Sequence, residues 1–162
     1  MSNKQRWRFG PTDPVKRAVD SETLIEIGDL VFQSQLLVWP ASEFSSLGGP
    51  ELEAMRKAFS ALFLGVAMTG SERGKRDPIR VARSGVFQFD IDPRRPGFAF
   101  AAGTLIGPAW TVTQTGKKLN NQRVSRAPNI ERSIGKVARR KLLGQAGGAL
   151  LVAIASKYQD NT

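Results

Sequence analysis

Three short phrases recur in the same order in the two halves of this chain of 162 residues, and this repeat constrains the fold more than any other feature. The matched segments are 28–31 with 103–106, 64–67 with 134–138, and 79–82 with 150–154. The phrases are apolar and β-branched, and the glycines in the first two mark turns or bulges between short strands. The second match requires one extra residue in the second half, inserted directly after Gly135. The repeat therefore predicts two similar β units.

Two such units predict an all-β fold. A small β unit cannot bury its own apolar face, so we expect the halves to close together into one small β-barrel or sandwich, which also limits exposed strand edges. The strand glycines then permit sharp bends at the corners of the barrel. The alternative is an ordinary β domain whose strand–turn–strand pattern recurs because turns need glycine.

One segment departs from the strand pattern. Leu52, Met55, Phe59 and Leu62 fall at helical spacing between polar residues, which predicts one short helix near 51–62. A stripe of Met and aromatic residues at this spacing is typical of core packing, so we assign it no role in binding a cofactor.

Residues 1–22 are polar, contain two prolines and lack apolar periodicity, which predicts an extended N-terminal arm ahead of a single β-barrel-like domain at 23–158. Aromatic and basic residues alternate in this arm, which makes it a predicted partner-binding segment. Its proposed contact residues are Arg6, Trp7, Arg8 and Phe9. The two aromatic side chains are expected to dock either on this domain or on a neighbouring molecule.

Composition excludes several function classes. The chain has no Cys and no His, so a disulfide framework, a zinc finger and a Ser-His-Asp triad are impossible. No apolar run reaches the roughly 18 residues that a membrane span needs. The basic start lacks the apolar stretch of a secretory signal, so we expect assembly in the cytoplasm and no association with a membrane.

The net charge of +10 is concentrated in residues 117–141, where a single acid, Glu131, stands among many basic residues. Such a field favours an anionic partner, either nucleic acid or an acidic protein surface. The predicted basic surface consists of Lys117, Lys118, Arg123, Arg126, Arg139, Arg140 and Lys141.

Two other motifs carry little chemistry. Asp90 and Asp92 alternate on one strand and suit a hard cation, but a dedicated site needs about six oxygen ligands. Only Glu26, Asp29 or Asp77 could add to them, so a turn cap beside Arg94 and Arg95 is the favoured interpretation. Residues 70–75 lack the residue order of a phosphate-binding loop and indicate a hairpin tip instead. We therefore predict no catalytic residues, no metal site and no cofactor.

Nucleic-acid binding by the basic segment is the alternative function. Lysines and arginines along a β surface can follow a phosphate backbone. Binders of single strands on small barrels usually add exposed aromatic side chains for base stacking, and residues 117–157 contain no aromatic residue.

The ordered phrases "TLIEIGDLVF", "FLGVAMTGSE", "IRVARSGVFQFD", "AAGTLIGPA" and "SIGKVARR" carry a family resemblance across roughly residues 23–156. In these phrases the sequence resembles the small capsid decoration (cement) proteins of tailed phages and prophages. The basic, aromatic arm and the strongly basic segment 117–141 depart from that family.

The resemblance implies a small β-barrel that binds the major capsid protein on the outside of a phage head and stabilises the shell. It implies a location in the virion, no catalysis, and a homo-oligomer, with a trimer favoured. On this interpretation the arm supplies aromatic anchors, and the basic residues face an acidic capsid surface.

Overall fold

The computed structural model describes residues 7–46, 52–92, 100–114, 116–139 and 149–158. Within them the chain is mostly β, with two sheets and one α-helix, which confirms the predicted all-β class. The strands are β1 (Trp7–Phe9), β2 (Pro14–Arg17), β3 (Leu30–Ser34), β4 (Leu37–Pro40), β5 (Phe63–Ala67), β6 (Ile79–Ala82), β7 (Ser84–Ile91), β8 (Leu105–Thr113), β9 (Gly116–Arg126), β10 (Gly135–Arg139) and β11 (Ala149–Ala155). The helix α1 is Leu52–Leu62, and short 3₁₀ helices cover Ala41–Ser46 and Ile130–Arg132.

The two sheets have the same strand order. In unit 1, which runs from β2 to β6, the order is β2-β6-β5-β3-β4, and in unit 2, from β7 to β11, it is β7-β11-β10-β8-β9, with β1 added beside β7. A parallel pairing of β7 with β9 joins the two ends of the second order, and a parallel bridge between Val19 and Val38 makes the same connection in the first. Each unit thus closes on itself, so the predicted small β-barrel or sandwich of two similar β units consists of two sheets, one in each unit.

The residue pairing is also the same in both units. Val31 lies opposite Gly65 as Ile106 lies opposite Gly135, and the neighbouring pairs match in the same way. This register equates Val66 with Lys136 and leaves no inserted residue after Gly135, contrary to the predicted alignment. An ordinary β domain with recurring turns has no reason to reproduce the register, so the sequence repeat reflects a repeated structure.

Glycine is required at the turn that enters β3 and at its equivalent before β8. Gly28 and Gly103 have φ values of +95° and +87°, a conformation that side-chain-bearing residues rarely adopt. Their N–H groups donate to the carbonyl oxygens of Ala67 and Val137 at 2.9 and 2.8 Å. The two equivalent glycines of the repeated phrase thus make the same backbone hydrogen bond, one in each unit.

Equivalent positions also fill the interiors of the two units. The interior cluster of unit 1 is Val19, Ile25, Val31, Val38, Leu64, Ala67, Ile79 and Val81. Its counterparts in unit 2 are Ile91, Phe100, Ile106, Val124, Ile134, Val137, Leu150 and Val152, which belong to the larger core cluster. That cluster also includes a layer between the units. The interior of unit 2 is therefore continuous with this layer, whereas the interior of unit 1 forms a separate cluster, although the strand orders agree.

The 3₁₀ helix Ala41–Ser46 and the helix α1 supply much of this layer. Met55 and Phe59 of α1 are buried, and Leu52 and Leu62 pack against the same cluster, which confirms the predicted core stripe. The ring of Phe59 lies within 5.9 Å of the rings of three other phenylalanines. No helix in the described part of the chain is long and apolar enough to cross a membrane.

Arg56 on the same helix is buried, with 2% of its surface exposed, although it belongs to the polar residues between the apolar positions of the helical pattern. Its guanidinium donates to Arg126 O at 3.0 Å and to Ser125 Oγ at 3.3 Å, and lies 5.3 Å from the centre of the Trp110 ring. These contacts join α1 to unit 2 and satisfy part of the buried charge.

The amino-terminal segment takes part in both sheets from Trp7 onwards. β1 pairs with β7 in unit 2, and β2 pairs with β6 in unit 1. Of the two expected destinations for the arm, its own domain is the one observed for these residues. Within the described residues, no break separates residues 7–22 from the domain.

Candidate functional site

β1 presents the predicted partner-binding residues on a short edge strand. Trp7 and Phe9 keep 40% and 39% of their surfaces exposed although the strand is paired. The indole Nε1 of Trp7 donates to Gly10 O at 3.2 Å, and Arg8 Nε donates to Gln88 Oε1 at 3.0 Å. The remaining predicted arm residue, Arg6, lies outside the described residues. Two half-exposed aromatic side chains are thus held in fixed positions at the surface.

The predicted basic surface is partly brought together on β9. Lys117, Lys118, Arg123 and Arg126 are all exposed on this strand of 11 residues. Arg139 lies in β10, but its side chain is outside the described part, as are Arg140 and Lys141 altogether. Lys117 and Lys118 lie at the start of β9 and Arg123 and Arg126 near its end, with mostly buried residues between them, and these four residues are called the cationic strip below.

Trp110 lies beside this strip but is not an open stacking platform. It is half-buried, packs against the main core and has the Arg56 guanidinium 5.3 Å from its ring centre. An exposed aromatic face is what a base needs for stacking, and Trp110 offers little of one.

A long hairpin distinguishes unit 2 from unit 1. The β3–β4 turn places four residues between the opposed Gln33 and Val38, whereas the equivalent Pro108 and Val124 are separated by fifteen. The exposed end, Thr111–Gln114 with Gly116–Lys118, is called the hairpin tip below. Sequence reasoning missed this extension, although the alternating polar stretch TVTQTGKKLN signals a long hairpin.

The base of the hairpin binds unit 1. The buried amide of Gln122 donates to Asp29 Oδ1 at 2.8 Å, and Asn121 Oδ1 accepts a hydrogen bond from the Ser42 N–H at 2.7 Å. Leu119 is fully buried opposite Trp110. The hairpin is therefore anchored at its base while its tip lies in solvent.

The acidic pair is not arranged as a metal site within the described residues. Asp92 is buried and its N–H donates to Val124 O at 3.2 Å, while Asp90 lies opposite Arg123 in the parallel ladder. The described ranges contain no group of three or more potential metal ligands. Residues 70–75 lie in the loop that joins β5 to β6, as the predicted hairpin tip requires.

Lys157 is a titratable group whose pKa is shifted in the folded chain. Its ammonium donates to Ser60 Oγ at 2.7 Å and to the carbonyl oxygen of Ile130. Burial lowers the pKa of Lys157 from its ordinary 10.5, and the nearby Glu131 carboxylate opposes this by raising it.

This lowered pKa predicts a pH-dependent contribution to stability. Between the folded pKa and 10.5 the unfolded state binds more protons than the folded state, so the contribution of Lys157 rises as pH increases through that window. In urea unfolding from neutral pH upwards, the stability of the natural chain relative to Lys157→Met should increase with pH. The exposed Lys16→Met is the control, and parallel pH profiles for the natural chain and Lys157→Met would contradict the prediction.

No known protein-family model matches this chain, and no curated protein matches its sequence. The described surface has two features suited to binding a partner: the half-exposed aromatic residues of β1 and the cationic strip of β9.

Proposed function

We propose that this chain is a structural virion protein that binds the major capsid protein on a phage head and stabilises the shell without catalysis. The observation that carries the proposal is the pair of half-exposed aromatic side chains, Trp7 and Phe9, held on a paired edge strand. Aromatic residues fixed at a surface are the usual energetic centres of protein interfaces, and fixing them in advance reduces the entropy lost on binding.

The position of the resemblance within the fold supports the proposal. The five phrases that resemble decoration proteins cover β3, β5, β6 with β7, the start of β8, and β10. Their order therefore corresponds to the strands of the repeated unit rather than to scattered turns. A similar order of strands in a capsid-binding protein is what the resemblance implies.

The charge of the chain fits an acidic partner surface. The exposed cations of β9 add long-range attraction and help to orient an approaching acidic protein. In this proposal the protein acts at the capsid surface as a homo-oligomer, with a trimer favoured, and uses no cofactor.

Replacing both aromatic residues tests the proposal. Trp7→Ala with Phe9→Ala should weaken binding to empty capsid shells of the encoding phage by about 30-fold or more, since interface anchors contribute about 2 kcal/mol or more. Co-sedimentation with DNA-free shells measures the affinity. The control, Ile130→Ala, removes another exposed apolar side chain and should leave binding unchanged. The proposal is refuted if the natural chain shows no saturable binding, or if the double variant binds as tightly as the Ile130→Ala control.

The second candidate is nucleic-acid binding through β9, favoured by the four exposed cations on one strand. Binding to phosphates weakens log-linearly as salt rises, whereas an interface with buried aromatic residues keeps a salt-resistant part. Duplex and single-stranded DNA belong in the same co-sedimentation series. Binding to DNA but not to shells, lost at high salt, establishes the second candidate instead.

A further inference from the structure

Unit 1 has an open cleft of about 410 Å³ between the segment before β3 and the loop that joins β5 to β6. Three carboxylates, of Glu26, Glu72 and Asp77, line it with one ammonium, of Lys75. Leu24 adds an apolar side chain that is 45% exposed. In a chain with a net charge of +10, this cleft is lined mainly by negative groups and suits a cationic ligand with an apolar part.

The basic side chains near the cleft do not neutralise all of its carboxylates. The Lys75 ammonium lies 3.5 Å from a Glu72 oxygen, but both side chains are mostly exposed, and such pairs contribute little. The arginines of the same loop, Arg73 and Arg76, do not line the cleft. The carboxylates of Glu26 and Asp77 are left to attract a cation.

The walls of the cleft are preformed. Ile25 and Ser71 exchange two backbone hydrogen bonds of 2.9 Å, and Gly74 N–H donates to Ser21 O at 2.7 Å. Ser71 is only 7% exposed, and its hydroxyl has no hydrogen-bond partner among the residues that the structure describes. The backbone hydrogen bonds hold the two walls of the cleft in place without a ligand.

The hairpin tip has the complementary chemistry. Lys117 lies opposite Val112 and Lys118 opposite Thr111, so each lysine shares a face of the hairpin with its partner. Val112 is 64% exposed, and the tip contains no acidic residue. The tip therefore presents Val112 with the Lys117 ammonium on one face and the Lys118 ammonium on the other face of a narrow two-stranded projection.

We infer that the hairpin tip of one copy docks in the unit 1 cleft of a second copy, with Val112 against Leu24 and the two lysines beside the carboxylates. The inference rests on the homo-oligomer of the proposed function and names its interface. The tip belongs to unit 2 and the cleft to unit 1, so the contact joins unlike surfaces. A contact of this kind closes into a ring when its rotation permits, as a trimer requires.

Charge reversal tests this interface on the full chain without capsids. Lys117→Glu with Lys118→Glu should weaken self-association by about tenfold or more at low salt, as measured by analytical ultracentrifugation. Glu72→Lys with Asp77→Lys should have the same effect from the other side. Combining all four substitutions in one chain should restore association. The matched control reverses two exposed lysines elsewhere, Lys16→Glu with Lys136→Glu, and should leave association unchanged.

The possible outcomes are distinct. Restored association in the fourfold variant supports the docking. If the natural chain stays monomeric, both the oligomer and this interface are refuted. Capsid binding is then still tested separately by the co-sedimentation of the Trp7 and Phe9 double variant. An oligomer that survives both charge reversals keeps the oligomer and refutes this interface. If the Lys117 and Lys118 reversal abolishes only binding to DNA, the tip belongs to a nucleic-acid surface and the inference fails.

Discussion

Replacing Phe59 with alanine is expected to lower the free energy of unfolding by about 3 to 5 kcal/mol. Phe59 is fully buried, and its ring centre lies 5.9 Å from that of Phe32, 5.8 Å from Phe44 and 5.9 Å from Phe63. These rings come from a strand of unit 1, a 3₁₀ helix and the start of the next strand, so one substitution opens a cavity where several elements meet. The surrounding backbone is held in the sheets and cannot collapse to fill it.

Urea unfolding measures this loss. Phe59→Leu keeps most of the volume and should cost less than about 1.5 kcal/mol. Lys57→Ala is an exposed control on the same helix and should change stability by no more than about 0.5 kcal/mol. If Phe59→Ala were no more destabilising than Phe59→Leu, the layer between the units would not be the packed core described above.

Gly65→Ala and Gly135→Ala are each expected to destabilise the chain by about 3 kcal/mol or more. A Cβ atom at Gly65 overlaps the carbonyl oxygen of Ala82, and one at Gly135 overlaps that of Ala153. Ala82 and Ala153 occupy equivalent positions on β6 and β11. The obstructing atoms are backbone in a paired strand, so relief requires the strands to separate and lose hydrogen bonds.

Gly103→Ala is the control that distinguishes the steric overlap at Gly65 and Gly135 from the general cost of replacing a glycine. Gly103 has a φ of +87° but no atom within 4 Å of a Cβ placed there, so only the backbone conformation opposes the change. We expect a loss of about 1 to 2 kcal/mol. Thermal unfolding of the three variants ranks them, and Gly65→Ala or Gly135→Ala as mild as Gly103→Ala would show that β5 and β6, or β10 and β11, are not packed this closely.

The repeat, the β class and the helix could be predicted because each depends on local pattern. Alternating apolar residues around Gly28 and Gly103 indicate strands and turns, and the spacing of Met55 and Phe59 indicates one face of a helix. The exposed aromatic residues and lysines could likewise be identified as candidate contact residues, because their residue types alone suit binding. Their spatial grouping was found only in part: four predicted basic residues share β9, while β1 lies against β7.

The sequence by itself determined that two equivalent β units are present, because equivalent glycines and apolar residues satisfy the same local geometry twice. Only the tertiary structure decided that each unit closes separately, since closure depends on which distant strand edges pair and no local pattern encodes that choice. The same holds for Arg56, whose charge predicts exposure but whose hydrogen-bond acceptors lie on a distant strand. It also holds for the hairpin, because only the register between β8 and β9 shows how far the tip extends beyond its anchored base.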